Sequence, residues 1–449
     1  MSDGAPGRGS SGSGSSASVG PTAGGSGSGA AGTGARRVVV TGLGMVTALG
    51  GDVASTWDGL LAGRSGIGPI TAFDPSRVAS RIAGEVPDFD PSAVLDRKEQ
   101  RRNDRYTQLA LVATREALVD AGLPERLDGS LAERAGIILG TGLGGGHTFA
   151  EQVAVSIAKG PDRISPFFIP MAIPNLAAGQ ASIVFGALGP NFAVSSACAT
   201  GGHALGEAWE MIRRGDADVM IAGSSEAGIT EMLVGGFAAM RALSTRNDDP
   251  AAASRPFDRG RDGFVVGEGA GVVILEALEH ARARGATPLA ELVGYGASAD
   301  AHHITLPAPG GAGAARAVRR ALEKAGLSVD DVEHVNAHAT STPEGDGTEL
   351  EMLRGLFGAR AGEVSVTANK SMLGHTLGAA GSIEAAVTIL SLRHGVIPPT
   401  INLDDPDEAA AGLDLTPNVA RERPIRVAVS NSFGFGGQNS ALVFRRWEA

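Results

Sequence analysis

The sequence predicts an α/β fold assembled from two copies of one α/β unit. Three observations carry that expectation. An apolar run that closes on glycines, Arg36-Arg-Val-Val-Val-Thr-Gly-Leu-Gly44, reads as a buried strand. A helix, a glycine stop and a strand then follow in the same order twice. They occupy residues 103–121, Gly122 and residues 135–142, and again residues 313–325, Gly326 and residues 333–338. The two helices also end on similar words, Glu116-Ala-Leu-Val-Asp-Ala-Gly-Leu123 and Arg320-Ala-Leu-Glu-Lys-Ala-Gly-Leu327. A chain of 449 residues with 43% hydrophobic content can bury a core of this size.

In chain order, residues 1–35 are almost wholly Gly, Ser, Ala and Thr and read as a flexible tail with little to bury. Residues 36–285 form the first half and residues 286–449 the second. The helix over residues 103–121 places Leu109, Val112, Leu118 and Val119 among its apolar positions. Residues 191–197 read as a short apolar strand that turns sharply at Cys198 into a helix over residues 199–214. Leu205, Ala208, Trp209 and Ile212 share one face of that helix. A thiol at a helix N-terminus feels the positive end of the macrodipole, which favours thiolate. Taken alone, a solitary cysteine is more often a small buried hydrophobe.

Bulk properties exclude several classes. Against 38 Lys and Arg stand 49 Asp and Glu, a net charge of −11, so no global basic field awaits nucleic acid. One cysteine excludes an internal disulfide framework and a cysteine-based zinc site. No stretch reaches the roughly 20 apolar residues that span a bilayer, and no basic-then-apolar leader opens the chain. A cytoplasmic protein with no membrane partner is expected. Gly42-Leu-Gly-Met-Val-Thr-Ala-Leu-Gly50 fails the dinucleotide fingerprint because Thr47 stands at the third glycine. Gly140-Thr-Gly-Leu-Gly-Gly-Gly146 lacks the Lys-Ser/Thr end of a phosphate loop. Both runs are read as close backbone packing around a buried cavity.

Three segments concentrate polar groups in otherwise apolar surroundings. They are Val335-Asn-Ala-His-Ala-Thr-Ser-Thr-Pro-Glu-Gly-Asp346, the run from Thr367 through Lys370 and His375 to Glu384, and Val427-Ala-Val-Ser-Asn-Ser-Phe-Gly-Phe-Gly-Gly437. A Lys and a Glu in such an apolar segment are costly unless paired. With Cys198 these segments carry a resemblance. Ser196-Ala-Cys-Ala-Thr-Gly201, His338-Ala-Thr-Ser-Thr-Pro343, Lys370-Ser-Met-Leu-Gly-His375 and Asn431-Ser-Phe-Gly-Phe-Gly-Gly437 follow the order and spacing of the β-ketoacyl synthases. Ser244-Thr-Arg-Asn247 and Arg255-Pro-Phe-Asp258, leading into Asp262-Gly-Phe264, add to it. From about residue 36 onward the chain resembles the type II elongating members of that family.

The resemblance implies a thiolase-like fold, two duplicated α/β halves stacked as five layers (α-β-α-β-α). It implies an acyltransferase that performs a decarboxylative Claisen condensation in fatty acid elongation. Cys198 would hold the acyl chain, and its N–H with that of Phe433 would form an oxyanion hole. His338 and His375 would stabilise the enolate left when malonyl-acyl carrier protein loses CO₂. Lys370, paired with Glu384, would organise the site, with Phe433, Phe435 and Asp346 in support. Thr340, Thr342 and Thr305 would meet the pantetheine arm, and Leu143 would line the acyl pocket. Lys98, Arg101, Arg102 and Arg241 would dock an acidic acyl carrier protein, although a charge run is as often a solvated face.

No metal or cofactor is implied beyond the carrier-bound substrate, although a structural monovalent cation is compatible with the family. A homodimer is implied, with a heterodimer beside a chain-length partner as the alternative. A type II polyketide or specialised lipid ketosynthase is the nearest alternative function. A non-catalytic chain-length subunit is disfavoured because Cys198 is present, and a degradative thiolase because it would need a second cysteine. One departure stands out: Ala339 replaces the glycine usual after the first histidine, and its methyl would narrow the pantetheine tunnel or alter the local backbone.

Overall fold

A computed structural model describes residues 35–448. The tail expected over residues 1–35 lies, except for Ala35, outside the described residues. Ten strands form the framework: β1 (Val38–Val46), β2 (Ala135–Gly140), β3 (Asn191–Phe192), β4 (Val219–Glu226), β5 (Gly269–Ala277), β6 (Ala290–Ala299), β7 (His334–Asn336), β8 (Ser365–Thr367), β9 (Val427–Gly434) and β10 (Gln438–Arg446). Their hydrogen-bonded order is β8-β7-β9-β10-β6-β1-β5-β4-β2-β3.

The order contains a duplication. The five strands from the first half run β3-β2-β4-β5-β1, and the five from the second run β8-β7-β9-β10-β6, the same permutation of the same chain order. The directions match as well. β2 is parallel to β3 and β4, as β7 is parallel to β8 and β9. The two remaining pairings in each half are antiparallel. Within the ten-stranded sheet the halves are joined where Val38, Val39 and Val40 of β1 pair with Leu292, Glu291 and Ala290 of β6.

Helices fill three layers around the two half-sheets. On the outer face of the first half lie α1 (Arg105–Asp120) and, between α2 (Gly146–Lys159) and β3, α3 (Leu176–Phe185). The middle layer is α4 (Thr200–Arg214) and α7 (Ala380–His394), which touch each other and both half-sheets. On the far face lie α5 (Ala312–Ala325) and α6 (Pro343–Phe357). This is the expected five-layer arrangement. Helix α7 is buried on every side from Ala380 to Leu392, as a helix between two sheets must be. Small residues allow the close crossing: a Cβ on Gly201 would come within 2.3 Å of the Ser382 nitrogen.

The first strand of each half packs against its outer helix through the same device. A Cβ on Gly42 or Gly44 would lie 2.2 Å from the Ala117 carbonyl oxygen or 1.9 Å from that of Ala113. On β6, a Cβ on Gly294 or Gly296 would lie 2.1 Å from the Ala321 carbonyl oxygen or 2.0 Å from that of Ala317. The run at Gly42 therefore brings a strand against a helix backbone and does not border a cavity, which corrects the sequence reading. The 191–197 strand also shortens to Asn191–Phe192. Beyond it the chain must turn into α4, and Ala197 takes a left-handed φ of 49° to do so. Helix α1 begins at Arg105, two residues later than expected, because Asp104 caps it by accepting from the Tyr106 N–H at 3.3 Å.

Candidate active site

Cys198 sits at the turn that leads into α4. The turn is held tightly. The Ser196 N–H donates to Thr200 Oγ1 at 2.8 Å, the Ala199 N–H to the Ser196 carbonyl at 3.1 Å, and the Thr200 hydroxyl to the Ala197 carbonyl at 2.7 Å. These bonds stabilise the left-handed Ala197 and aim the thiol into a cavity of about 560 Å³. Leu143, Phe264, His338, His375, Phe433 and Phe435 line that cavity with Cys198.

Both histidines reach the thiol from the second half. His375 follows the short helical turn Lys370–Leu373, and its N–H donates to the Val265 carbonyl at 2.7 Å. Its Nε2 lies 3.0 Å from Cys198 Sγ. His338 lies just beyond β7, with its ring centroid 5.5 Å from that of His375. One donor atom from each of Cys198, His338 and His375 lies within 4.8 Å of the others. Lys370, only 2% exposed, donates to the His338 carbonyl at 2.6 Å and to Glu384, so the expected ion pair is present.

Carboxylates from α6 hold the His338 loop. Glu349 accepts from the N–H groups of His338 and Ala339 at 3.0 and 2.7 Å. Asp346 accepts from the N–H groups of Thr340 and Ser341 at 2.9 and 3.0 Å, and from that of Phe257 at 2.9 Å. Glu349 lies one helical turn beyond Asp346 and was not singled out in the sequence. A buried acid three residues along the same helix face was the available signal. Glu226, at the end of β4, is the other unforeseen group. It accepts from the Thr141 hydroxyl and the Gly142 and Gly378 N–H groups at 2.9, 2.7 and 3.1 Å. Phe264 packs edge-on against His375 at 5.4 Å.

Electrostatics corrects one expectation. Burial pushes the Cys198 thiol up to about 11, outweighing the nearby Lys370 charge and the backbone N–H groups of Phe435 and Cys198 that favour thiolate. The thiol is therefore protonated at neutral pH. The N–H facing it from the glycine–phenylalanine loop is that of Phe435, where the sequence pointed to Phe433. The Phe433 ring instead packs against His338 at 5.6 Å. Burial, reinforced by Lys370, holds His338 and His375 well below the usual imidazole value, so both are neutral. Burial raises Glu384 to about 7, with Lys370 opposing.

The remaining residues separate by position. Thr340 and Thr342 line the cavity with hydroxyl oxygens 3.1 Å apart, and Thr305, Leu143 and Arg241 also line it. The methyl of Ala339 belongs to the apolar cluster with Phe257, Val335 and Leu350, not to the cavity wall, so it does not narrow the tunnel. Lys98, Arg101, Arg102 and Arg241 are exposed. Of the first three none lines the cavity, and Arg102 lies over the Phe167 ring at 4.6 Å. Arg105, three residues beyond Arg102, is committed to Glu268. Among the described residues, no helix is long and apolar enough to cross a membrane.

Comparison with known proteins agrees with this geometry. Residues 35–281 match the family described as Beta-ketoacyl synthase, N-terminal domain, and residues 289–404 match Beta-ketoacyl synthase, C-terminal domain. The chain is 49% identical over 414 residues to 3-oxoacyl-[acyl-carrier-protein] synthase 2 of Staphylococcus aureus (strain N315), covering 92% of this chain and 99% of that one. The protein of the same name from Coxiella burnetii (strain RSA 493 / Nine Mile phase I) is 48% identical over 411 residues, with the same coverage. Among solved structures, a type II PKS acyl-carrier protein in complex with its ketosynthase bound to the hexaketide superposes with a TM-score of 0.85. It is 35% identical, over 92% of this chain and 100% of that one. A nucleophile turn, two neutral imidazoles and a Lys–Glu pair around one cavity thus coincide with full-length similarity, and the chain belongs to the β-ketoacyl synthase family.

Proposed function

We propose that the protein condenses an acyl chain held on Cys198 with malonyl-acyl carrier protein, releasing CO₂ and giving 3-oxoacyl-acyl carrier protein in fatty acid elongation. The observation that carries this reading is the 3.0 Å approach of His375 Nε2 to Cys198 Sγ, with His338 beside it in the same cavity. Neutral His375 accepts the thiol proton as sulfur attacks the acyl thioester, and the proton then passes to the departing carrier thiol. The N–H groups of Cys198 and Phe435 face the oxyanion.

For the second substrate, His338 and His375 donate to the malonyl thioester carbonyl, each as the neutral tautomer that carries its one ring proton on Nε2. His375 moves its proton there from Nδ1 once Cys198 is acylated. Loss of CO₂ leaves the electron pair as an enolate, which attacks the Cys198 thioester and expels the sulfur. No strong base is required. Lys370, anchored by Glu384, holds the His338 carbonyl and supplies a fixed positive charge. Thr340, Thr342 and Thr305 receive the pantetheine arm, Leu143 borders the acyl pocket, and Phe433 and Phe435 form its movable wall.

Lys98, Arg101, Arg102 and Arg241 dock the acidic carrier, with the substrate borne on its phosphopantetheine and no further cofactor. Residues 36–285 and 286–449 are the two halves, and the protein works in the cytoplasm. It functions as a homodimer. Support comes from a run of exposed apolar side chains on α2, α3 and their neighbours, next to the edge strand β3. A polyketide pathway is less favoured, because identity is 49% to the curated fatty acid relative against 35% to the polyketide ketosynthase.

The test is incubation with acyl-carrier and malonyl-carrier thioesters, read by intact-protein mass spectrometry. Wild type should show an acyl adduct on Cys198 and a 3-oxoacyl product. Cys198→Ala should show no adduct and lose about a thousandfold or more in rate. Continued elongation by that variant would overturn the mechanism.

A further inference from the structure

We propose that Cys198, His338 and His375 form an inhibitory site for a thiophilic divalent cation, Zn²⁺, in the unacylated protein. One sulfur and two imidazole donors suit a borderline-soft metal. This departs from the exclusion drawn from the cysteine count, which cannot show two histidines converging on the one thiol. Among the described residues this is the one cluster of three His, Cys, Asp or Glu side chains whose donor atoms converge closely enough.

The geometry needs little adjustment. Zn–S and Zn–N bonds of about 2.3 and 2.0–2.1 Å place tetrahedral ligands about 3.5 Å apart. His375 Nε2 already stands 3.0 Å from the sulfur, and the widest separation in the cluster is under 4.8 Å. Side-chain rotation of about an ångström closes the set, and the cavity in front of it leaves the fourth position to water. The Lys370 charge opposes the metal, but Lys370 is paired with Glu384, and Glu226 lies on the cavity wall.

The chemistry balances simply. Zn²⁺ displaces the proton from the Cys198 thiol, the sulfur supplies the electron pair, and one proton leaves to solvent. The two histidines supply nitrogen lone pairs. Their Nδ1 atoms are buried without a hydrogen-bond partner among the described residues. Resident zinc sites place a carboxylate or carbonyl there. Its absence points to exchangeable binding, an inhibitor and not a permanent cofactor. Once the sulfur carries an acyl group it is no longer a thiolate ligand, so acylation and zinc exclude each other.

The inference shares side chains with the proposed reaction but does not depend on condensation. The experiment is therefore equilibrium dialysis of the full chain against ZnCl₂ without substrate, with Cys198 alkylation by iodoacetamide as a second readout. The unmodified protein should take up one zinc per chain and lose alkylation at Cys198, and EDTA should restore it. Protein already carboxamidomethylated on Cys198 should take up none, a control that needs no variant to fold. His338→Ala and His375→Ala, each checked by its melting midpoint, should weaken uptake about tenfold or more. Uptake that survives carboxamidomethylation, or alkylation that proceeds unchanged in zinc, would overturn the proposal.

Discussion

Glu226 shows how much one buried carboxyl costs the folded state. It is fully buried, and burial raises it to about 7 from the ordinary 4.5, against the opposing effect of donors from Thr141, Gly142, Gly378 and Leu143. The native protein therefore binds a proton more tightly than the unfolded chain. Its stabilising share is complete below pH 4.5 and is lost as the pH rises through about 7. Glu226→Gln keeps an acceptor for the backbone N–H groups and a donor for the Thr141 oxygen while removing the titration. Relative to wild type, this variant should gain stability between pH 5 and pH 8. Linkage sets the ceiling at about 3 kcal/mol. Urea unfolding at the two pH values measures it, and a difference that does not grow with pH would contradict the assignment. None of this was legible in the sequence. Cys198, His338, Lys370 and His375 stand in distinctive motifs, whereas Glu226 and Glu349 are ordinary acids until the strand end and the helix bring them to the site. The protonation of Cys198 was also hidden, because a helix N-terminus is visible in sequence and the depth of its burial is not.

The glycine pairs on β1 and β6 express the duplication at the level of elements. Gly42 and Gly44 face Ala117 and Ala113 on α1, and Gly294 and Gly296 face Ala321 and Ala317 on α5. The similar helix ends at residues 116–123 and 320–327 thus have a physical basis. Each must present small side chains to a glycine strand so that helix and strand backbones can touch. Gly44→Ala and Gly296→Ala insert a methyl where the carbonyl oxygens of Ala113 and Ala317 already stand. Each should destabilise by about 1–3 kcal/mol or more, seen as a lower urea midpoint, and the two should be similar in size. A large effect at one site and none at the other would mean that the two contacts are not equivalent. The alternation of helix and strand was readable because it rests on local periodicity and glycine stops. The strand permutation was not, since it is set by which sheet edges the crossovers can reach. Cys198 and its turn fell between: residues 193–197 look extended by composition, but the route into α4 leaves only two strand residues.

Among the described residues, a run of neighbouring elements leaves large apolar side chains uncovered. Phe149, Val153 and Ile157 of α2 are 48, 47 and 83% exposed, Ile169 is 59%, and Ile183 of α3 and Leu188 are 68 and 70%. The segments are continuous: α2 packs on the helical turn Phe168–Ala172, that turn on α3, and α3 on β3. Strand β3 pairs with β2 on one side and has no neighbour on the other among the described residues. An exposed edge beside a large apolar patch invites pairing with another chain. A second copy related by a two-fold axis would cover both at once. In such a dimer each substitution counts twice. Burying an isoleucine is worth about 1.5–3 kcal/mol, and a glutamate in its place would be a buried charge. Ile157→Glu combined with Ile183→Glu should therefore weaken self-association by about a hundredfold or more. Light scattering coupled to size-exclusion chromatography should show wild type at twice the chain mass and the double variant moving toward the single-chain mass on dilution. Cys198 should remain open to alkylation in both, because neither substituted residue lines its cavity. A wild-type protein that elutes as a single chain at micromolar concentration would remove the dimer and leave the apolar face for another partner.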